Sequence, residues 1–214
     1  VKKLAKELNI DSTLSSMLVN RKIQTFNQAK EFFRPSIDKL HDPFLMKDMN
    51  LAVDRILRAI ENKESIMIFG DYDVDGTSSV ALLSMYLKSQ GCEIVSYFPD
   101  RNIEGYGISI KAVDLAAQNN QNLIIALDCG IKAHDQVNYA LEKDINFIIC
   151  DHHNPDASIP SALAVLNPKR KDCSYPFKEL CGCGVGFKLI QALELKINNK
   201  IDNIINYLDL VAIA

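Results

Sequence analysis

Short runs of apolar residues without polar alternation recur between residues 66 and 166, and stretches with helical spacing separate them. A continuously apolar run suits a strand buried on both faces, which is typical of parallel sheets covered by helices. The pattern therefore predicts an α/β fold, with a parallel β-sheet of about five strands and helices on both faces. The predicted strands are Ile66–Phe69, Ile94–Phe98, Leu123–Leu127, Phe147–Cys150 and Ala162–Leu166.

The residues before this pattern have only short, local helical spacings. Lys2–Leu8 has helical spacing, Asp11 and Thr25 are expected to cap the N-termini of two further short helices, and Pro35 is expected to end the last of the three. We expect a small helical segment over residues 1–45 and the α/β domain over residues 46–214. Because the chain starts at Val1 and ends in an apolar run without a stop signal, we expect a fragment truncated within that domain.

Composition excludes several classes of protein. The 214 residues are 48% hydrophobic and 24% charged, with a formal net charge of -3, so the broad positive field of a general nucleic-acid binder is absent. No apolar stretch approaches the ~18 residues of a membrane span, and we expect a cytoplasmic protein. Cys181-Gly-Cys183 is not the spacing of a zinc ribbon, so reduced thiols are expected.

The first predicted strand runs into an acidic cluster. Asp71, Asp73 and Asp75 lie within five residues, and their mutual repulsion opposes folding unless a cation lies between them. A divalent cation with oxygen ligands would remove that repulsion. The cluster therefore predicts a metal site.

Three other motifs compete for the same residues. The spacing matches the opening of a calcium-binding EF-hand loop, but the twelfth position is Leu82 where a bidentate Glu is required. A phosphate-binding P-loop also joins a strand to a helix, but it needs a Lys that is absent here. Asp73-Val-Asp75-Gly-Thr77 also resembles the signature of haloacid-dehalogenase-type phosphatases, in which the first Asp is a nucleophile.

Two further strands end in groups that the phosphatase interpretation leaves without a role. Asp128 follows one strand, and Asp151-His152-His153 follows the next. The carboxyl ends of parallel strands meet at one edge of the sheet, so a two-cation site is favoured. Asp128 can bridge the two cations, and Asp73, Asp75 and His152 can be terminal ligands. His153 can contact a substrate phosphate, and Asp151 can orient an imidazole. Each Asp alone could instead cap the helix that follows it.

The ordered segments resemble a known family. Gly70–Gly76, Leu127–Gly130 and Asp151–His153 are similar to the successive motifs of the DHH phosphoesterase superfamily. The form Asp-Tyr-Asp-x-Asp-Gly resembles the RecJ-type branch, which comprises single-strand-specific exonucleases. Arg101–Gly107 and Leu180–Gly186 also resemble segments of that branch, so the likeness covers nearly the whole chain.

The resemblance implies specific roles. Two Mn²⁺ or Mg²⁺ ions would be held by Asp73, Asp75, Asp128 and His152. The catalytic groups would be His153, at the scissile phosphate, and the bridging Asp128. Further ligands or hydrogen-bond acceptors would be Asp71 and Asp151. The strand would be held by Arg101, Tyr106 and the backbone of Gly182 and Gly184. The basic run Lys169–Lys171 could also contact phosphates, although solvation is the favoured interpretation.

The implied activity is hydrolysis of single-stranded DNA from its 5′ end to 5′-mononucleotides, in DNA repair and recombination. Implied protein partners are a single-strand-binding protein or a helicase. The family also implies a further metal-binding Asp beyond Ala214, which leaves open whether the fragment is active by itself. Two alternatives remain: a DHH phosphodiesterase or pyrophosphatase on short oligonucleotides or small phosphoesters, and a non-catalytic RecJ-like replication scaffold.

Overall fold

Five parallel strands form one sheet in the computed structural model, which describes residues 1–198 and 200–214. The strands are β1 (Ile66–Gly70), β2 (Ile94–Tyr97), β3 (Leu123–Leu127), β4 (Asn146–Cys150) and β5 (Ala164–Leu166). Their order across the sheet is β2-β1-β3-β4-β5, and every neighbouring pair is parallel. The predicted fold class is confirmed, and each predicted strand is present with its ends shifted by at most two residues.

Helices cover both faces of the sheet. They are α4 (Met49–Glu61), α5 (Val74–Ser89), α6 (Ile110–Gln118), α7 (His134–Leu141), α8 (Gly182–Ile197) and α9 (Leu208–Ile213). Side chains of one sheet face, such as Phe69 and Phe147, share a buried cluster with α6 and α7. Helix α8 packs against α4 and against α5 over the other face, where Gly186 approaches Leu127 of β3. The central strands are therefore buried on both sides, which explains their unbroken apolar sequence.

The chain divides into two compact units between Leu40 and His41, whereas the sequence places the boundary after residue 45. His41 belongs to the second unit because its ring packs edge-on against Tyr175, and its carbonyl accepts a hydrogen bond from Lys188. Short 3₁₀ helices cover Ile37–Lys39, Pro43–Leu45 and Asp202–Tyr207.

The first unit consists of α1 (Lys2–Leu8), α2 (Ser12–Asn20) and α3 (Phe26–Phe33) around a small apolar core. Both expected caps are confirmed. Asp11 accepts hydrogen bonds from the amides of Thr13 and Leu14, and Thr25 forms a capping box with Gln28. Among the described residues, no helix combines the length and the apolar character needed to cross a bilayer.

Arg170 corrects the interpretation of the basic run Lys169–Lys171 as solvated. Its side chain is buried and makes hydrogen bonds to Asp48, Asp172 and the carbonyl of Val165. Asp48 also accepts a hydrogen bond from the amide of Val165, so Asp48 and Arg170 together fix β5 to the start of α4. A buried guanidinium requires such partners, and here Asp172 and Val165 are near in the chain whereas Asp48 is distant.

Candidate metal centre

The order of the strands gathers three acidic segments at one edge of the sheet. Strands β1, β3 and β4 are neighbours, and the segments that follow them carry Asp71–Asp75, Asp128 and Asp151–His153. Because these strands are parallel, their carboxyl ends lie side by side. The structure therefore brings together the acidic and histidine residues that the sequence predicted at this edge.

Asp128 lies at the centre of this group. Ligand atoms of Asp71, Asp73 and Asp128 lie within 4.8 Å of one another, and the same holds for Asp128, His152 and His153. Asp128 thus belongs to two groups of three potential metal ligands. This is the arrangement that a carboxylate bridging two cations requires.

The surroundings of Asp128 fit a cation. Its Oδ1 atom is buried and makes no hydrogen bond to the described part of the chain, although Nε2 of His152 lies 3.1 Å away. Burial, together with the nearby Asp75, raises the pKa of Asp128 to about 6 against the opposing contact with His152. A buried carboxylate oxygen without a hydrogen-bond donor is costly, and a divalent cation would compensate it. Burial also raises the pKa of Asp71.

Asp73 and Asp75 lie at the start of α5 and have different partners. Asp73 is exposed and caps the helix, because its Oδ1 accepts the amide of Gly76 at 2.9 Å. Asp75 Oδ2 lies 3.5 Å from Nε2 of His152. This distance places Asp75 beside Asp128 and His152, where it could complete a second group of ligands.

The amides of Gly182 and Gly184, which the sequence assigned to substrate binding, have acceptors within the protein. The Gly182 amide donates to Oδ2 of Asp75 at 2.7 Å, and the Cys183 amide donates to Oδ1 at 2.6 Å. The Gly184 amide donates to Sγ of Cys181 at 3.2 Å. These donors are engaged within the protein, so they are not free to bind a phosphate.

Asp151 is the buried support of the two histidines. Its Oδ1 accepts the amides of His152 and His153 and lies 2.8 Å from Nδ1 of His153, while its Oδ2 accepts the amide of Ile131. Burial acts to raise the pKa of Asp151, but the hydrogen bonds from His153 and Ile131 outweigh it and lower the pKa. An ionised Asp151 only accepts hydrogen bonds, so Nδ1 of His153 carries the proton and Nε2 remains available.

The pKa values of both histidines are raised. The contact with Asp128 raises the pKa of His152, and burial opposes it. The hydrogen bond to Asp151 raises the pKa of His153, again against burial. The imidazole of His153 is therefore held in place by Asp151 through Nδ1, and its Nε2 can interact with an anionic group.

Arg101 and Tyr106 lie on the loop between β2 and α6 and extend the site through aromatic contacts. The guanidinium of Arg101 lies 5.2 Å from the ring centroid of Tyr72. The ring of Tyr106 meets those of Tyr72 and His153 edge-on, at centroid distances of 6.5 and 6.4 Å. Sequence reasoning missed Tyr72, although an aromatic residue between Asp71 and Asp73 was a signal. Beside this group lies a cleft of about 440 Å³, lined in part by Tyr106, Gly130, Lys132 and His153.

Glu104 fixes the loop that carries Arg101 and Tyr106. Its carboxylate accepts the hydroxyls of Tyr97 at 2.7 Å and Ser109 at 2.5 Å, and the amide of Asp100 at 3.1 Å. Sequence reasoning gave Glu104 no role. The acid within the segment Arg-x-x-Glu-Gly-Tyr-Gly was the available signal.

At the carboxyl edge of the parallel sheet, Asp128 lies between a group of acidic residues and a pair of histidines, and it belongs to both groups of potential ligands. This arrangement defines a class of α/β proteins suited to binding divalent cations. Residues 65–214 match the DHH family, N-terminal domain, and the chain belongs to the DHH family.

The chain is similar to proteins named single-stranded-DNA-specific exonuclease RecJ. It is 41% identical over 193 residues to that of Bacillus subtilis, a match that covers 90% of this chain and 25% of the relative. It is 37% identical over 173 residues to that of Escherichia coli, covering 76% of this chain and 30% of the relative. The chain thus spans between a quarter and a third of the length of these two curated relatives.

Solved structures of similar proteins agree in fold. A structure of exonuclease RecJ bound to manganese matches with a TM-score of 0.71 at 29% identity, covering 78% of this chain and 42% of that one. RecJ from Thermus thermophilus in complex with Mn²⁺ matches with a TM-score of 0.79 at 24% identity, covering 99% of this chain and 29% of that one.

Proposed function

We propose that this chain carries the catalytic domain of a metal-dependent single-stranded-DNA exonuclease that hydrolyses phosphodiesters from the 5′ end and releases 5′-mononucleotides. The observation that carries the proposal is the position of Asp128, which is shared by two groups of potential ligands and has a buried oxygen without a hydrogen bond to the residues that the structure describes. Membership of the DHH family and the names of the similar proteins support it.

The proposed cations are two Mn²⁺ or Mg²⁺ ions. One would be held by Asp71, Asp73 and Asp128, and the other by Asp75, Asp128 and His152. Carboxylate oxygens and an imidazole nitrogen suit these metals. When bound, the ions would neutralise the charge of the scissile phosphate and lower the pKa of the attacking water. The manganese-bound neighbour supports this assignment.

His153 is proposed to contact the scissile phosphate. Asp151 holds Nδ1, so Nε2 can donate a hydrogen bond to a phosphate oxygen when the ring is protonated. The raised pKa of His153 favours that protonated state. Donors that are fixed before the substrate binds need little reorganisation as negative charge develops.

Arg101 and Tyr106 are proposed to hold the strand. The guanidinium can pair with a backbone phosphate, and the exposed ring of Tyr106 can stack on a base. This role fits a protein with a net charge of -3, because the substrate is held by a few local cations rather than by a broad positive field.

DNA repair and recombination in the cytoplasm are the proposed setting, because the similar proteins are named for action on single-stranded DNA. A single-strand-binding protein or a helicase is the proposed partner, since either presents single strands to such an enzyme.

The test uses the full-length protein with Mn²⁺ and 5′-labelled DNA. The protein is expected to degrade single-stranded DNA from the 5′ end and to leave duplex DNA intact. Asp128→Ala is expected to lower the rate by at least ~100-fold, because the shared ligand of both cations is lost. Asp54→Ala, at an exposed position of α4, is the matched control and should retain the rate. Robust activity in Asp128→Ala would refute the two-cation site, and a preference for dinucleotides or pyrophosphate would refute the substrate class.

A further inference from the structure

The three glycines of α8 have different surroundings. A Cβ atom on Gly182 would lie 2.6 Å from both Cβ and Oδ1 of Asp128, which is closer than real Cβ contacts. A Cβ atom on Gly184 would lie 3.2 Å from Leu180, and one on Gly186 would lie 3.4 Å from Leu127. Gly182 is therefore the glycine of this helix whose missing side chain leaves room for Asp128.

The same turn of α8 also fixes Asp75. The first amides of a helix have no acceptor within the helix, and here those of Gly182 and Cys183 donate to the two oxygens of Asp75. The positive end of the helix dipole adds to this attraction. One turn of backbone thus contacts both Asp75 and Asp128, which follow different strands.

We propose that the first turn of α8 is the positioning element of the metal centre. Gly182 leaves the volume that the Asp128 side chain occupies, and the amides of Gly182 and Cys183 hold Asp75 beside it. Gly182 acts through Asp128 and Asp75 and does not touch the substrate. This role rests on the proposed function of the site. It takes the place of the contact between the Gly182 backbone and the DNA strand that the sequence suggested.

The first experiment compares Gly182→Ala with the matched control Gly186→Ala in the full-length protein. Mn²⁺ binding is measured by isothermal titration calorimetry, and folding is measured by circular dichroism. Gly182→Ala is expected to bind Mn²⁺ at least ~10-fold more weakly, as for other residues that orient metal ligands. Gly186→Ala should bind as the wild type does, because its Cβ meets an ordinary contact distance. Equal Mn²⁺ binding in both variants would overturn the proposal.

Exonuclease kinetics separate positioning from substrate contact. For Gly182→Ala, the Mn²⁺ concentration giving half-maximal activity should rise, while KM for single-stranded DNA at saturating Mn²⁺ should stay unchanged. A raised KM with unchanged Mn²⁺ dependence would show that Gly182 contacts the strand and would overturn the proposal.

A double-mutant cycle covers the case in which Gly182→Ala does not fold well. Asp128 has a φ of 61°, a conformation that Gly adopts readily, so Asp128→Gly removes the clashing atoms without backbone strain. The loss of melting temperature caused by Gly182→Ala should be at least halved in the Asp128→Gly background. An equal loss in both backgrounds would overturn the proposal. Because this cycle and the calorimetry need no nuclease activity, they can succeed even if the proposed substrate is wrong.

Discussion

Replacing Glu104 with Gln tests whether one charge holds the loop that carries Arg101 and Tyr106. Burial acts to raise the pKa of Glu104, but the hydrogen bonds from Ser109, Tyr97 and Asp100 outweigh it and lower the pKa from 4.5 to about 2. One pKa unit corresponds to about 1.4 kcal/mol. The folded protein therefore favours the ionised over the neutral side chain by about 3 kcal/mol.

Gln keeps the shape and removes the charge, so Glu104→Gln is expected to lower the free energy of unfolding at pH 7 by about 3 kcal/mol. A carboxyl with a lowered pKa stabilises the fold above its unfolded-state pKa. The difference between wild type and variant should thus be constant from pH 7 to about 5 and shrink as pH falls from 4.5 towards 2. Urea unfolding at several pH values measures this difference in the free energy of unfolding. Glu93→Gln, at an exposed position, is the control.

Hydrogen exchange locates the effect of this substitution. The amide of Asp100 donates to Glu104, and the amides of Ile103 and Glu104 donate to the carbonyl of Asp100, so all three should exchange faster in the variant. A loss below about 1 kcal/mol, the contribution of an ordinary hydrogen bond, together with unchanged exchange would refute the assigned role of Glu104.

Two further predictions concern α8. Burial lowers the pKa of Lys188 to about 8 from an ordinary value of 10.5, so its charge destabilises the fold below pH 8. The free energy of unfolding of wild type minus that of Lys188→Met should therefore rise by about 3 kcal/mol from pH 8 to 10.5, and a flat difference would contradict this. Tyr86→Phe removes the hydroxyl that donates to buried Glu194 at 2.9 Å and should cost about 1–3 kcal/mol by urea unfolding. The hydroxyl of Tyr139 donates to the partly exposed Asp114, so Tyr139→Phe should lower the free energy of unfolding by less. Equal losses in the two variants would argue against a contribution of the buried hydrogen bond between Tyr86 and Glu194.

The fold was predictable because its central strands are buried on both faces. Burial on two sides requires an apolar residue at every position, and this leaves a direct record in the sequence, as in Leu123–Leu127. The acidic groups of the site were predictable for a related reason. Asp71, Asp128 and Asp151 each directly follow a strand, and parallel strands end at the same edge.

The roles of other residues depend on partners that are far away in the chain. Arg170 lies in a run that suggests solvation, yet it is buried against Asp48. Gly182 lies in a glycine-rich segment that suggests phosphate binding, yet its amide donates to Asp75.

The parallel sheet and its acidic edge can be inferred from the order of the amino acids, because burial and strand polarity act through local patterns. The amides that donate hydrogen bonds to Asp75, and the glycine that makes room for Asp128, are known only from the folded arrangement of the helices. Contacts of this kind depend on how α8 packs against α5 and β3, and no local pattern encodes the distance between two helices.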